Sequence, residues 1–216
     1  MKIVSFLGEK GGVGKTTNSH ETAHGLSMLG IPAAYILTDK RRDEEPLSDI
    51  KRVYTIIDGR TVPQLERAIA SARQRENNGV FVIDGGSNRG VVDDLIASVS
   101  NVVILPFTAD DDSVYVVDKE MQHFTDAWAL PSNWVTNRKA RQVDAGYIDK
   151  MTAKYPDRVL PLAPDTHSVR DLLLNDFSGA LLPAAQRFCR DLARQVSELL
   201  DAEKALSNIV SISDRR

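Results

Sequence analysis

The chain has 216 residues, 42% hydrophobic and 26% charged, with a formal net charge of −3. That length and composition suit one α/β domain over residues 1–216 with a sizeable buried core, and leave any nucleic-acid contact to a local basic patch. A single cysteine, Cys189, excludes a disulfide within the chain and a cluster held by several of its thiolates, and no apolar run approaches the roughly 20 residues of a helical membrane span.

Strands are predicted near 2–7, 33–38, 52–57, 79–84, 101–106, 132–137 and 158–162. Helices are predicted at 15–30, 61–76, 90–98, 111–128, 143–154, briefly near 167–174, and from about 181 to 206. This alternation predicts a doubly wound, mostly parallel α/β sheet. Thr61 is a helix cap with Pro63 in the first turn. No signal peptide precedes the first strand, so the expected compartment is a reducing cytoplasm.

The apolar run Ile3-Val4-Ser5-Phe6-Leu7 leads directly into Lys10-Gly11-Gly12-Val13-Gly14-Lys15-Thr16-Thr17. A buried strand entering a glycine-rich loop that opens a helix is a phosphate cradle. Successive backbone N–H groups from Gly11, Gly12, Val13, Gly14, Lys15, Thr16 and Thr17 point at the anion, and the helix N-terminus adds its positive dipole end. In the usual roles of such a loop Lys15 reaches the β- and γ-phosphates and the Thr16 hydroxyl ligates Mg²⁺. The strict pattern wants glycine where this chain has Glu9.

The extra lysine inside the loop, Lys10, and the two threonines resemble the deviant Walker A motif of the ParA/MinD family of ATPases, and within it the small ParA-type partition ATPases. The resemblance implies ATP and Mg²⁺, a homodimer that forms with ATP, and a catalytic set of Lys10, Lys15 and Asp39. In that family the extra lysine crosses the dimer interface to the partner's nucleotide, which is the role implied for Lys10. Asp39, after the strand Ala33–Thr38, matches the aspartate that positions the attacking water. Leu37 replaces the first aspartate of that pattern, and Lys40-Arg41 replaces its Pro-Gln pair. The charged stretch Lys40 to Glu45 reads as a switch loop or as a solvated surface loop.

Val80-Phe81-Val82-Ile83 is a continuous apolar run, as in a strand covered on both faces, and it ends at Asp84. A carboxylate there points into the ligand crevice of an open α/β sheet and can hold Mg²⁺; capping the next helix is the structural alternative. Relatives often carry Asp-Thr-Pro-Pro where this chain has Asp84-Gly85-Gly86-Ser87. The resemblance also implies that Asn137, after Trp134-Val135-Thr136, hydrogen-bonds adenine, and that Pro164 and Asp165 lie beside the base. Asn137 is equally a good turn residue.

In the last helix Ala185, Phe188, Leu192, Val196 and Leu199 form an apolar face, with Arg187, Arg190 and Arg194 roughly opposite. Small ATPases of the family bind DNA without sequence preference through such residues, so these arginines are the DNA-binding candidates. A solvated face laced with ion pairs to Asp191 and Glu198 explains the pattern about as well. The expected function is a ParA-type ATPase that segregates or positions DNA or other cargo, nucleoid-associated with ATP, its slow hydrolysis stimulated by a partner protein. The alternatives are a MinD-like membrane switch, for which the weakly apolar tail 202–212 is poorly suited, a nucleotide switch with little hydrolysis, and an ATP-dependent ligase, which would not need Lys10.

Overall fold

The computed structural model describes residues 1–39, 52–74, 78–86, 90–133, 138–163, 167–174 and 180–213, with the backbone alone for 138–143, 167–168 and 202–213. Expectations for Lys40 to Glu45, Ser87, Asn137, Pro164 and Asp165 lie outside the described residues, as do those for the side chains of the tail.

The chain runs β1 (Lys2–Phe6), α1 (Lys15–Met28), β2 (Ala33–Leu37), β3 (Thr55–Asp58), α2 (Val62–Gln74), β4 (Val80–Asp84), α3 (Gly90–Val99) and β5 (Val102–Phe107). It continues through α4 (Asp111–His123), β6 (Trp128–Pro131), α5 (Arg138–Lys154), α6 (His167–Arg170), a 3-10 turn (Asp171–Leu173) and α7 (Pro183–Ser213). The six strands form one parallel sheet in the order β3-β2-β4-β1-β5-β6. This is the doubly wound α/β arrangement that the alternation predicts.

Period-two alternation along the strands feeds two cores. Ile3, Ala34, Ile36, Phe81, Ile83 and Leu105 face α2, α3, α4 and α5. Val4, Phe6, Tyr35, Leu37, Val80, Val82 and Ile104 face α1 and α7. Asp84 pairs with Phe6 on one side and Leu37 on the other, so three strands end in one row. β1 lies between β4 and β5, and the β4–β5 connection crosses it. The crevice at the strand ends therefore opens directly above the loop that leaves β1, where open α/β sheets bind ligands.

Thr61 caps α2 as expected. Its hydroxyl accepts from Gln64 N–H at 3.4 Å, and Gln64 Oε1 accepts from Thr61 N–H at 3.1 Å, a reciprocal capping box. Of the strand predicted at 132–137 only Ser132 and Asn133 are described, and neither is in a strand; β6 lies at Trp128–Pro131, and α4 stops at His123 rather than 128. The reason is pairing. Ile104 to Phe107 of β5 take Trp128 to Pro131 in register, and Ser132 N–H donates to Phe107 O before Asn133 turns into the left-handed region at φ 56°. The stretch 158–162 makes a single bridge, Ala129 with Val159, rather than a regular strand. Helix α5 starts at Arg138, earlier than the predicted 143, and α7 runs from 183 to 213.

Candidate nucleotide site

The loop between β1 and α1 is shaped by its glycines. Gly14, with φ 96°, is the residue before α1, and a Cβ there would stand 2.5 Å from Ser132 Oγ. Only glycine fits. The departure at position 9 has a local explanation: the left-handed backbone falls on Gly8, at φ 140°, and Glu9 points its side chain to solvent. Glu9 N–H donates to Glu120 Oε1 at 2.5 Å. Burial pushes the Glu120 carboxyl above its usual range, while that N–H and the charge of Lys15 pull it back.

Over this loop lies a cavity of about 310 Å³, lined by Gly12, Gly14, Lys15, Thr16, Thr17 and Asp39, together with Gly85 and Gly86. The structure thus brings most of the predicted phosphate residues and the predicted water-positioning aspartate to one space. Gly11 is exposed at the loop tip. Val13 is buried, so its backbone N–H is what it can offer a ligand. Lys15 is itself buried, and its Nζ donates to Lys10 O at 2.6 Å.

Asp84 sits just beneath this cavity rather than in its wall. It is fully buried, its Oδ2 accepts from Tyr35 OH at 2.7 Å, and its backbone oxygen accepts from the Thr38 hydroxyl. The hydroxyl of Thr16 and the carboxylates of Asp39 and Asp84 are the hard oxygen donors that Mg²⁺ takes, so the residues present fit the ion.

Lys10 is engaged within its own chain. Its Nζ lies 2.5 Å from Asp110 Oδ1 and 2.8 Å from Asp112 Oδ2, both at the start of α4. Asp110 is also the α4 cap: its Oδ1 accepts from Ser113 N–H at 2.8 Å and its Oδ2 from Thr108 Oγ1 at 2.6 Å. Desolvation pushes the Asp110 carboxyl up, but Lys10 and these donors outweigh it and hold the group below its usual range. Desolvation likewise lowers the Lys10 ammonium, and the two aspartates more than reverse this.

Several residues of the site were not singled out from the sequence. Asn133 Nδ2 donates to Gly12 O at 3.0 Å, and Asn18 Nδ2 donates to Ser132 Oγ at 2.7 Å, so the end of β6 clamps the glycine loop. Arg170 and Leu173 line the far wall of the cavity. Behind Asp84 a buried polar chain continues: the His20 ring stacks on Tyr35 with centroids 3.9 Å apart, and its Nδ1 is hydrogen-bonded to Tyr54 OH at 2.6 Å. An asparagine after a strand and histidines at i, i+4 on the helix were visible cues, but nothing local tied them to the loop.

The three arginines lie elsewhere, on α7. Arg187 and Arg194 are exposed and Arg190 half-buried. Arg194 Nη1 donates to Asp191 Oδ1 at 2.8 Å, and the Arg187 guanidinium lies 5.6 Å from the Phe188 ring centroid. Among the described residues no helix is long and apolar enough to cross a membrane.

No protein-family model and no curated protein matches the chain. Solved structures match it over nearly its whole length. A plasmid partition protein of Borrelia burgdorferi bound to AMPPNP has a TM-score of 0.65 at 14% identity, over 91% of this chain and 98% of its own. The MinD cell division protein of Aquifex aeolicus has a TM-score of 0.63 at 13% identity, over 92% and 97%. The chain has the ParA/MinD fold. ParA of pNOB8 bound to nonspecific DNA shares it with a TM-score of 0.65 at 11% identity, over 93% and 99%. At such identities the likeness lies in the backbone, and the roles of side chains rest on the geometry of this chain.

Proposed function

We infer that this chain is an ATP hydrolase of the ParA type, which closes into a homodimer over ATP, holds DNA without sequence preference and positions DNA or other cargo. The observation that carries the reading is the single cavity joining the glycine loop, Lys15, Thr16 and Thr17 to Asp39 at the end of β2. The AMPPNP on the Borrelia protein and the nonspecific DNA on pNOB8 ParA support it from outside the chain.

In this reading Lys15 exchanges its bond to Lys10 O for the β- and γ-phosphates, and the N–H groups from Gly11 to Thr17 complete the cradle. Thr16 and Asp84 would hold Mg²⁺, which when bound neutralises charge on the β- and γ-phosphates. Asp39 orients the attacking water. Lys10 must leave Asp110 and Asp112 to reach the partner's nucleotide, so the active arrangement completes only on closure. Hydrolysis is then slow in the isolated protein and rises with a stimulating partner. The protein works in the cytoplasm, on the nucleoid when ATP is bound.

Binding to random-sequence duplex DNA, measured with ATP·Mg²⁺, ADP·Mg²⁺ and no nucleotide across a salt titration, tests this directly. Binding with ATP alone that falls steeply with salt supports the switch and directs attention to Arg187, Arg190 and Arg194. ATP bound without DNA binding in any state removes DNA as the matrix.

A further inference from the structure

Helix α4 holds the glycine loop at two points. Asp110 and Asp112 at its start pair with Lys10, and Glu120 in its last turn meets the beginning of the loop. Glu120 is 9% exposed, and its Oε1 accepts from Glu9 N–H at 2.5 Å. A Cβ on Gly8 would stand 3.3 Å from Glu120 Oε2, so the carboxyl fills the space against the turn into the cradle. Glu120 does not line the phosphate cavity. Lys15 joins the two, because it lines that cavity and its charge also acts on Glu120.

The groups that face Glu120 fix how its charge responds to a ligand. The loop brings Glu9, α1 brings Lys15 at its first position, and α3 brings the buried Asp93. Burial pushes the Glu120 carboxyl up, Glu9 N–H and Lys15 pull it back, and the Glu9 and Asp93 carboxylates push it up again. Phosphates in the cradle change this balance in one direction. They bring several negative charges to the loop, and they engage the ammonium of Lys15. Both changes disfavour a buried carboxylate and favour the neutral acid.

We propose that Glu120 is a positioning residue of the cradle that takes up a proton as the nucleotide binds, so that ATP and the proton enter together. The inference rests on the nucleotide reading above. The proton comes from solvent and settles on Oε2, while Oε1 keeps the bond from Glu9 N–H. The loop holds its shape, and a like charge is removed from beside the phosphates. The bound chain then keeps this proton to a higher pH than the free chain does. ATP affinity is highest below the pKa of the free chain, falls as pH rises toward that of the bound chain, and levels off above it. Where one full proton is taken up, the fall is about tenfold per pH unit.

Calorimetry of ATP binding to the full chain without Mg²⁺, in buffers of unlike ionisation enthalpy from about pH 5.5 to 8.5, counts the protons. The wild type should take up more protons than Glu120→Gln, by a fraction of one per ATP that peaks within the window. Glutamine keeps the volume and an oxygen for Glu9 N–H, so the variant should match the wild type at low pH and bind ATP more tightly at high pH. A contact that only supports the loop would weaken ATP at every pH, and that result overturns the proposal. So does equal proton uptake in the two proteins. If neither ATP nor pyrophosphate binds the wild type, the nucleotide reading fails and this inference with it. Should Glu120→Gln misfold, Asp93→Asn decides: without the α3 charge Glu120 ionises more readily, so the window moves to lower pH, and an unmoved window overturns the assignment to Glu120.

Discussion

On one face of the sheet α2, α3 and α4 bring Leu65, Ile69, Ile96, Val117 and Met121 against Phe81, Ile83 and Leu105. On the other face α1 buries Asn18, Ser19, His20, Glu21, Thr22 and His24, with Ala23 and Leu26 as its apolar contribution. The first face is stabilised in the ordinary way, by removing apolar area from water. The second carries desolvated polar groups, each costing roughly 1–3 kcal/mol where its hydrogen bonds are incomplete. A helix with so little apolar surface stays in place because α7 covers it and because its polar groups bond the glycine loop and the buried network behind Asp84. Both faces bury an apolar core, but only the α1 face adds a run of buried polar groups to it.

The sharpest way to break this contrast is pH. The Glu21 carboxyl has a pKa of about 8 in the fold against an ordinary 4.5. Between those values the native chain keeps a proton that the unfolded chain has released, so stability falls as pH rises through the window and levels off above it. The full span is on the order of 5 kcal/mol, and Glu21→Gln should remove it. Urea unfolding from pH 4.5 to 9 reads the difference; parallel curves for wild type and variant would mean that Glu21 is not desolvated.

Next in size is the contact between α1 and α7. A Cβ on Gly25 would fall 1.9 Å from the Cys189 carbonyl oxygen and 2.8 Å from Ala193 Cβ, so Gly25→Ala must push the two helices apart. A loss of about 3 kcal/mol is expected. On the apolar face Ala72→Gly in α2 should cost about 1 kcal/mol, mainly in helix propensity. Equal shifts in the urea midpoint would show that α7 does not pin α1 as argued.

Tyr35→Phe removes one donor from the buried Asp84 carboxylate without changing the shape of the core. The expected loss of stability is about 1–2 kcal/mol. Its diagnostic reading is a higher Mg²⁺ concentration at half-saturation of ATP binding, with Mg²⁺-free binding unchanged. A stability loss with an unaltered Mg²⁺ requirement would confine Tyr35 to packing.

What the sequence made legible was local. Lys10 to Thr17 are consecutive, and Asp39 and Asp84 follow apolar runs that can only be buried strands, so loop, carboxylates and sheet could be read together. The clamps could not. Asn133 meets Gly12 and Asn18 meets Ser132 across more than a hundred residues, and such pairings leave no periodic trace. β6 was hidden for a related reason. Trp134-Val135-Thr136 has the stronger strand propensity, yet Trp128-Ala129-Leu130-Pro131 is the segment that β5 takes in register. Polar α1 offered no amphipathic pattern, and its burial comes from α7, which lies far away in the chain.

The smallest effect concerns Lys10, which the proposed function requires in the partner's site but which pairs here with Asp110 and Asp112. Asp112 is largely exposed, with three-quarters of its side chain accessible, and exposed ion pairs contribute about 0.2–1 kcal/mol. Breaking the pair should therefore lower the ATP concentration at half-dimerisation only about threefold. Asp110→Asn is the informative change, because asparagine caps a helix as well as aspartate while losing the charge that holds Lys10. Combined with Asp112→Asn it should shift dimerisation, followed by light scattering against ATP, and weaken the salt dependence of that step. Lys10→Ala should abolish dimerisation while sparing ATP binding. If the double asparagine variant dimerises at the wild-type ATP concentration, the pairing at α4 does not compete with closure. If Lys10→Ala still dimerises, Lys10 acts within its own chain, on the same side as the acids that hold it.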